Sequence, residues 1–327
     1  MILESDFKAP VWASNRHLQT IWPRFLIKKP RLALRWENLQ LPDGDFIELA
    51  WHSADANKHV SAKGLVVIFH GLEGSAQSHY AAHLIKSVSD SGWDSVLVHF
   101  RGCGPQGNHT ARSYHSGETA DNLIALRYIS ELVGNQTLVA IGFSLGGNML
   151  LKMLGEDYAG PELAQAIAVS PPFDLAKCSS AISKGFSKVY QKYLLKSMKQ
   201  KFIKKYQVYD YRKLLGIGLE DIDKLDSFYA FDDKITGPLH GFNDAPHYYQ
   251  TCSANQFMHN IQTKTLVLHA KDDPFMTQDI VPEADKLSSC VRIELSDKGG
   301  HVGFLHGSPF NPKLWLNQRI LQCLDEL

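Results

Sequence analysis

Short runs of apolar residues alternate along this chain with longer stretches whose apolar positions recur at helical spacing. The runs, rich in β-branched side chains, lie at 64–69, 94–100, 137–141, 164–169, 265–269 and 291–295. Runs that are apolar at nearly every position are typical of strands covered on both faces, as in parallel sheets. The helical stretches between them include 80–91, 118–133 and 147–156. This alternation predicts an open, mostly parallel twisted sheet flanked by helices, with right-handed crossovers.

The pattern changes upstream of the first run. Segments 32–41 and 46–52 alternate more strictly between apolar and polar residues, and Pro42-Asp43-Gly44-Asp45 joins them. Alternation on either side of a turn sequence is typical of a β-hairpin with one exposed face. We therefore expect an antiparallel hairpin at one edge of the sheet.

A long interruption separates the run that ends at Val169 from the run that starts at Thr265, and it holds no convincing buried strand. Eight apolar residues recur there at helical spacing: Ile182, Phe186, Val189, Tyr190, Tyr193, Leu194, Met198 and Phe202. They predict an amphipathic helix in an inserted cap. We expect a single domain over 1–327 with a helical cap inserted at about 175–245.

The interruption is also basic. From Lys177 to Lys213 there are eleven Lys or Arg residues and one acid, Asp210. One interpretation is a solvated outer face of the cap, and the other is attraction to anionic lipid or to an acidic substrate. The second interpretation predicts a weak contact of the basic cap with membrane surfaces.

Overall composition limits the classes of function. The 327 residues include 34 Lys and Arg against 34 Asp and Glu, so the formal net charge is zero, and 44% of residues are hydrophobic. This hydrophobic content excludes a mostly disordered chain. The charge balance predicts no nucleic-acid partner, because binding phosphates needs a basic excess.

Five scattered cysteines favour a reducing compartment. With no visible secretory signal and no apolar run of about 18 residues, we expect a cytoplasmic protein.

The strongest local motif is Gly142-Phe143-Ser144-Leu145-Gly146, which follows a buried run and opens a helical stretch. A sharp strand-to-helix turn would force the backbone of Ser144 into a strained conformation. Positions two residues before and two after the serine must then be nearly free of side chain, as Gly142 and Gly146 are. The motif predicts Ser144 as a nucleophile, and the alternative is a plain turn between strand and helix.

A serine hydroxyl needs a base to take its proton, and the base needs an acid to fix its tautomer. For a nucleophile on such a turn, the acid and then the histidine follow along the chain, each after a later strand. His301 follows the run 291–295 and is preceded by two glycines that let the loop approach Ser144. We therefore predict His301 as the general base, with His306 as its nearest competitor.

The acid of the predicted triad should follow the run 265–269. Two aspartates, Asp272 and Asp273, stand there side by side. We favour Asp273 and keep Asp272 as the next choice, because either one also suits the cap of a following turn. Asp174, after the run that ends at Val169, is a further candidate.

The negative oxygen that develops during acyl transfer needs N–H groups aimed at it. We expect one from the backbone of Leu145, directly after the nucleophile, and one from the glycine-containing loop 70–74, assigned to Leu72. His70 in that loop is better explained as a brace held by hydrogen bonds than as a catalyst.

The chain has no GxxxxGK[ST], no GxGxxG between strand and helix and no HExxH, so we predict no cofactor and no metal.

Longer motifs lie outside the predicted triad and the two predicted N–H donors. They are Asn15-Arg16-His17-Leu18-Gln19-Thr20-Ile21-Trp22-Pro23, Phe100-Arg101-Gly102-Cys103-Gly104, Ser113-Tyr114-His115-Ser116-Gly117-Glu118-Thr119, Phe231-Asp232, Gly241-Phe242 and Tyr248-Tyr249. With them the sequence resembles the α/β-hydrolase superfamily and, within it, the YheT-like branch of esterases, also called the AB hydrolase 4 family. The resemblance covers nearly the whole chain. It implies an α/β-hydrolase fold and a cofactor-free serine hydrolase with Ser144, Asp273 and His301 as its triad.

The expected activity is that of a carboxylesterase-type serine hydrolase, which cleaves carboxylic esters through an acyl-enzyme intermediate. The expected substrate is a small-molecule ester or a lipid, since some eukaryotic members of the resembled family act on phospholipids. A phospholipase, a lysophospholipase or an acyltransferase would use the same triad. A hydrolase-fold binding module without catalysis is the alternative from a different class.

Overall fold

A computed structural model describes residues 1–54, 63–156 and 158–327. In these residues, nine strands form one sheet: β1 (Ile2–Glu4), β2 (Arg35–Gln40), β3 (Phe46–His52), β4 (Leu65–Phe69), β5 (Asp94–His99), β6 (Leu138–Phe143), β7 (Gln165–Val169), β8 (Thr265–Ala270) and β9 (Val291–Ser296). Two further strands, β10 (Leu305–Ser308) and β11 (Asn311–Leu314), pair with each other as an antiparallel hairpin.

The order of strands in the sheet is β1-β9-β8-β7-β6-β4-β5-β3-β2. Only β3 runs antiparallel to its neighbours β2 and β5, and the other pairs are parallel. The six apolar runs form the six strands from β4 to β9, and the predicted edge hairpin is β2 and β3. Because parallel strands end at the same edge of a sheet, the loops that follow β4, β6, β8 and β9 meet there.

The helices are α1 (Arg16–Ile21), α2 (Pro23–Leu26), α3 (His79–Asp90), α4 (Thr119–Val133), α5 (Leu145–Gly155), α6 (Leu175–Ile182), α7 (Lys188–Tyr206), α8 (Tyr211–Leu215), α9 (Leu219–Ile222), α10 (Phe228–Phe231), α11 (Gly237–Leu239), α12 (Ala245–Cys252) and α13 (Trp315–Asp325). A π-helical turn, Asp232–Thr236, joins α10 to α11. In the described part of the chain, no helix combines the length and apolar character that crossing a membrane requires.

Helices cover both faces of the sheet. Alternate residues of β4 enter two hydrophobic clusters, because successive side chains of a strand point to opposite faces. Leu65, Val67 and Phe69 pack with α4 and α5, whereas Val66 and Ile68 pack with α3 and α13. This arrangement confirms the predicted mostly parallel sheet flanked by helices.

The insertion between β7 and β8 is helical, as predicted, with its own cluster of buried side chains around Tyr211 and Phe231. Its limits as a cap, 175–245, stay a prediction. The expected continuous amphipathic helix is divided, because α6 ends at Ile182 and α7 begins at Lys188. Between them, Gly185 adopts a φ of +53°. Three of the apolar residues that defined the predicted stripe are largely exposed: Phe186 (54%), Val189 (54%) and Tyr193 (62%).

Candidate active site

Ser144 lies on the tight turn between β6 and α5, with a φ of +51°. The two glycines around it are required by close approach of the backbone. A Cβ on Gly142 would lie 2.4 Å from the carbonyl oxygen of Gly146, and a Cβ on Gly146 would lie 2.4 Å from that of His70. The turn therefore presents the Ser144 hydroxyl at the carboxyl edge of the sheet, where it lines a cavity.

The loops after β8 and β9 bring two further side chains to Ser144. His301 Nε2 lies 2.9 Å from Ser144 Oγ, and His301 Nδ1 lies 2.7 Å from Asp273 Oδ2. Both His301 and Asp273 are buried. Because an ionised carboxylate only accepts hydrogen bonds, Nδ1–H donates to Asp273, which leaves Nε2 to accept from the serine hydroxyl. The three side chains thus form one continuous chain of hydrogen bonds.

Backbone contacts fix the loop that carries His301. The His301 N–H donates to Thr20 Oγ1 on α1 at 3.0 Å, and the Gly300 N–H donates to Asp272 Oδ1 at 3.0 Å. The ring of Phe275 stacks on the His301 imidazole with centroids 4.0 Å apart. The N-terminal helix α1 therefore helps to hold the imidazole, a role that its sequence did not reveal.

The other acids considered from the sequence have different roles. Asp272 binds the backbone of Gly300, as described above, while Asp174 accepts a hydrogen bond from the N–H of Lys177 and caps α6. Asp273 uses its second oxygen, Oδ1, to accept from the N–H of Phe275 at 2.8 Å. The competing histidine, His306, lies in β10 opposite Lys313. The geometry thus favours Asp273 and His301 among the candidates.

Two backbone N–H groups border the same space. Leu72 and Leu145 line the cavity together with Ser144, and within the described residues neither N–H has a hydrogen-bond acceptor. Gly71 lies so close that an added Cβ would be 3.2 Å from Ser144 Cβ. These unoccupied donors have the character that an oxyanion site requires.

His70 braces this loop. Its Nδ1–H donates to the Gly71 carbonyl at 2.7 Å, and its Nε2 accepts from the Phe100 N–H at 3.2 Å. Burial lowers the pKa of His70 well below its usual range, which keeps the ring neutral, as these two bonds require. The bracing role inferred from the sequence agrees with these contacts.

Comparison with known proteins gives the family of the chain. A family profile described as the alpha/beta hydrolase fold matches residues 64–308. The chain belongs to the α/β-hydrolase family. It is 42% identical over 307 residues to YheT of Escherichia coli strain K12, which carries the name of an esterase, and the match covers 94% of this chain and 89% of that protein. The predicted YheT-like branch is therefore confirmed.

A more distant relative and a solved structure are also similar to this hydrolase. Phospholipase ABHD3 of Bos taurus is 26% identical over 310 residues, covering 94% of this chain and 75% of that protein. The crystal structure of the Pyrococcus furiosus esterase Pf2001 superposes with a TM-score of 0.57 at 14% identity, covering 93% of this chain and 92% of that one. The predicted α/β-hydrolase fold is confirmed, and the esterase and lipase names support a hydrolase.

The loop 70–74 of the hydrolase contacts the helical insertion through Glu73, which follows Leu72 and has a φ of +56°. Its carboxylate accepts from Tyr114 Oη at 2.9 Å and from Ser197 Oγ at 2.6 Å, and it pairs with Lys201 Nζ at 3.0 Å. Ser197 and Lys201 both lie on α7. These contacts hold a strained residue beside Leu72, so the position of the cap is coupled to that N–H. Sequence motifs gave no signal for these long-range contacts.

The cavity above Ser144 is mostly apolar and has an empty volume of about 1240 Å³, part of it open to solvent. Side chains of the cap form its far wall, among them Leu194, Met198, Phe202 and Ile235. Such a wall suits an acyl chain or another apolar group. In the described residues, no group of three His, Cys, Asp or Glu side chains is arranged to hold a metal ion.

Asp232 is one of the charged side chains that line this mostly apolar cavity. It is buried, and it accepts a hydrogen bond from Tyr249 Oη at 2.8 Å. Burial raises the pKa of its carboxyl group from the usual 3.8 to about 6. The native protein therefore holds this proton in a pH range where the unfolded chain has lost it, so the free energy of unfolding falls as pH rises from about 4 to 6.

The side chain of asparagine does not ionise. Replacing Asp232 by asparagine therefore removes the free-energy cost of ionising a buried carboxyl group. We expect Asp232→Asn to be more stable than the wild type at pH 7.5, by up to about 3 kcal/mol for a shift of this size. At pH 4, where the native carboxyl is protonated and the unfolded one is partly protonated, the difference should shrink to less than about 1 kcal/mol. Urea unfolding at both pH values measures the difference. Asp233→Asn is the matched control, because hydrogen bonds from Ala245 N–H and Lys234 lower the pKa of Asp233. A difference for Asp232→Asn that does not change with pH would contradict the prediction.

Proposed function

We propose that this α/β-hydrolase is a serine esterase that cleaves carboxylic esters through an acyl-enzyme on Ser144. The observation that supports the proposal is the unbroken chain of hydrogen bonds from Ser144 Oγ to His301 and on to Asp273, at 2.9 and 2.7 Å. These are the distances at which a nucleophile and its base exchange a proton.

In the first half of the proposed reaction, His301 Nε2 takes the proton of Ser144 as Oγ attacks the ester carbonyl carbon. Asp273 stabilises the imidazolium that forms, and the N–H groups of Leu72 and Leu145 stabilise the negative oxygen of the tetrahedral intermediate. The intermediate then collapses. The bond to the alcohol breaks, the alcohol leaves with the proton held by His301, and the acyl group remains on Ser144.

In the second half, a water molecule takes the place of the alcohol. His301 removes a proton from the water, whose oxygen attacks the acyl carbon. Collapse of the second intermediate returns the proton to Ser144 and releases the carboxylic acid. Burial of His301 against the stacked ring of Phe275 keeps the imidazole in the orientation that both halves need.

Lipid esters are a second candidate substrate class. The apolar wall formed by the cap favours them, and one relative carries the name of a phospholipase. A contact of the basic cap with a membrane surface would bring such substrates close.

The five cysteines are free thiols, and four of them are buried, which supports the cytoplasmic location proposed from the sequence.

A series of p-nitrophenyl esters tests the proposed activity and the role of the cavity. We expect kcat/KM to rise by about two- to fourfold for each methylene added to the acyl chain, because each buried CH₂ contributes about 0.8 kcal/mol. The rise should stop when the chain fills the cavity. The common leaving group keeps the intrinsic reactivity constant. Absence of hydrolysis for every ester would contradict the proposed esterase activity. Highest activity on the acetate ester would contradict binding of the acyl chain in the apolar cavity.

A further inference from the structure

Three separate segments meet on one side of the protein, next to the cap. Trp12 Nε1 donates to the carbonyl of Gly307 in β10 at 3.0 Å, which joins the N-terminal segment to the β10–β11 hairpin. Arg24 on α2 donates to Tyr193 Oη on α7 at 3.2 Å, which joins that segment to the cap. We call this surface, formed by 11–29, 305–314 and 186–193 at the start of α7, the docking face.

The docking face exposes large apolar side chains from all three segments. The exposed fractions are 94% for Val11, 72% for Phe25, 54% for Phe186, 54% for Val189, 62% for Tyr193 and 100% for Phe310. Single exposed apolar residues are ordinary, but a group on one surface marks an interaction site. Phe310 projects from the two-residue turn of the β10–β11 hairpin, so nothing in the described part of the chain covers it.

The charge around these side chains is positive. Residues 11–29 contain four Lys and Arg and no acid, although the whole chain has a net charge of zero. The stretch 175–209 contains nine Lys and no acid. Among the described residues, Lys188 and Lys192, which flank Val189 and Tyr193 on the exposed side of α7, have no carboxylate partner. Exposed apolar side chains with cations such as Lys188 and Lys192 beside them complement the acyl chains and the anionic head groups of a membrane surface.

We propose that the docking face binds an anionic phospholipid surface. Phe25 and Phe310 insert at the boundary between head groups and acyl chains, and Lys188 and Lys192 interact with the phosphates. The contact thus extends well beyond the basic cap, since the N-terminal segment and the hairpin supply its most exposed apolar residues.

The docking face adjoins the residues that surround His301. Tyr190, on the same helix as Val189 and Tyr193, lies with its ring 5.0 Å from Phe275, which stacks on His301. Thr20 of α1 accepts from the His301 N–H. A bound membrane would therefore present lipid esters beside the cavity. This consequence rests on the proposed esterase function, whereas the binding itself does not require catalysis.

Vesicle flotation tests the proposal with the full chain. We expect the wild type to bind vesicles of equal parts phosphatidylglycerol and phosphatidylcholine, and to lose most of this binding with pure phosphatidylcholine or at 1 M salt. The double variant Phe25→Ser/Phe310→Ser should bind anionic vesicles at least about tenfold more weakly, because each side chain loses its transfer into the membrane. Lys188→Glu/Lys192→Glu should also bind about tenfold or more weakly and show a weaker salt dependence, because the cations of 11–29 remain.

The matched control is Val208→Ser/Leu214→Ser, which removes two exposed apolar side chains (75% and 56%) near the opposite end of α7. This variant should bind as the wild type does. All variants should hydrolyse p-nitrophenyl acetate at the wild-type rate, which verifies their folding. Equal binding to neutral and anionic vesicles, no vesicle binding, or wild-type binding by both docking-face variants would overturn the proposal. Vesicle binding without any ester hydrolysis would instead overturn the proposed function and leave the docking face intact.

Discussion

Replacing Ser144 by alanine is expected to lower kcat/KM for a p-nitrophenyl ester on the order of 10⁴- to 10⁶-fold, the range seen when a serine triad loses its nucleophile. The variant keeps the backbone turn but has no oxygen with which to form the acyl-enzyme. Its residual activity should come from binding of the ester substrate and from the N–H groups of Leu72 and Leu145, which the substitution does not remove.

The effect of Ser144→Ala should not add to that of His301→Ala. Residues that act as one unit lose nearly the same activity singly and together. We therefore expect the double variant to be no more than a few-fold slower than either single variant. Circular dichroism and urea unfolding check that all three are folded. Multiplication of the two effects in the double variant would argue against a shared proton-transfer step.

Asp273→Asn is expected to lower kcat on the order of 10⁴-fold, because an amide at this position no longer fixes the tautomer that leaves His301 Nε2 free to accept a proton. The stability of the fold should change much less than the activity. The asparagine has nearly the same shape, and its oxygen still suits the N–H of Phe275 that Asp273 Oδ1 accepts. Steady-state kinetics on a single p-nitrophenyl ester measure the loss.

Asp272→Asn is the matched control, one residue away. Asp272 binds the backbone N–H of Gly300 and not the imidazole, and asparagine retains an oxygen for that bond. We expect activity within about tenfold of the wild type, since only a neutral hydrogen bond replaces a charged one. If Asp272→Asn were the more damaging substitution, the acid of the triad would be Asp272 and the geometry of the His301 loop would need revision.

Much of the fold follows from local patterns. The six apolar runs became β4 to β9 because strands buried on both faces carry a continuous signal, and β2 and β3 were visible from their alternation. The turn at Ser144 was visible because a positive φ and close backbone approach leave glycine as the residue that fits at positions 142 and 146.

The elements that the sequence did not reveal depend on contacts distant along the chain. β1 has three residues, and β10 and β11 have four each, which is too short for a periodic pattern. Helical spacing indicated an apolar stripe in the cap but not what would cover it, so the exposure of Phe186, Val189 and Tyr193 was unexpected. The contacts of Glu73 with Tyr114 and Lys201 likewise join residues far apart in sequence.

Reaction with a fluorophosphonate probe tests the central claim most directly. The Ser144 oxygen should bond to phosphorus as fluoride leaves, and His301 should assist by taking the hydroxyl proton. We predict that the wild-type protein gains the mass of one probe less HF, located by mass spectrometry on the peptide that contains Ser144, and that Ser144→Ala gains none. Equal labelling of the wild type and Ser144→Ala would contradict the account.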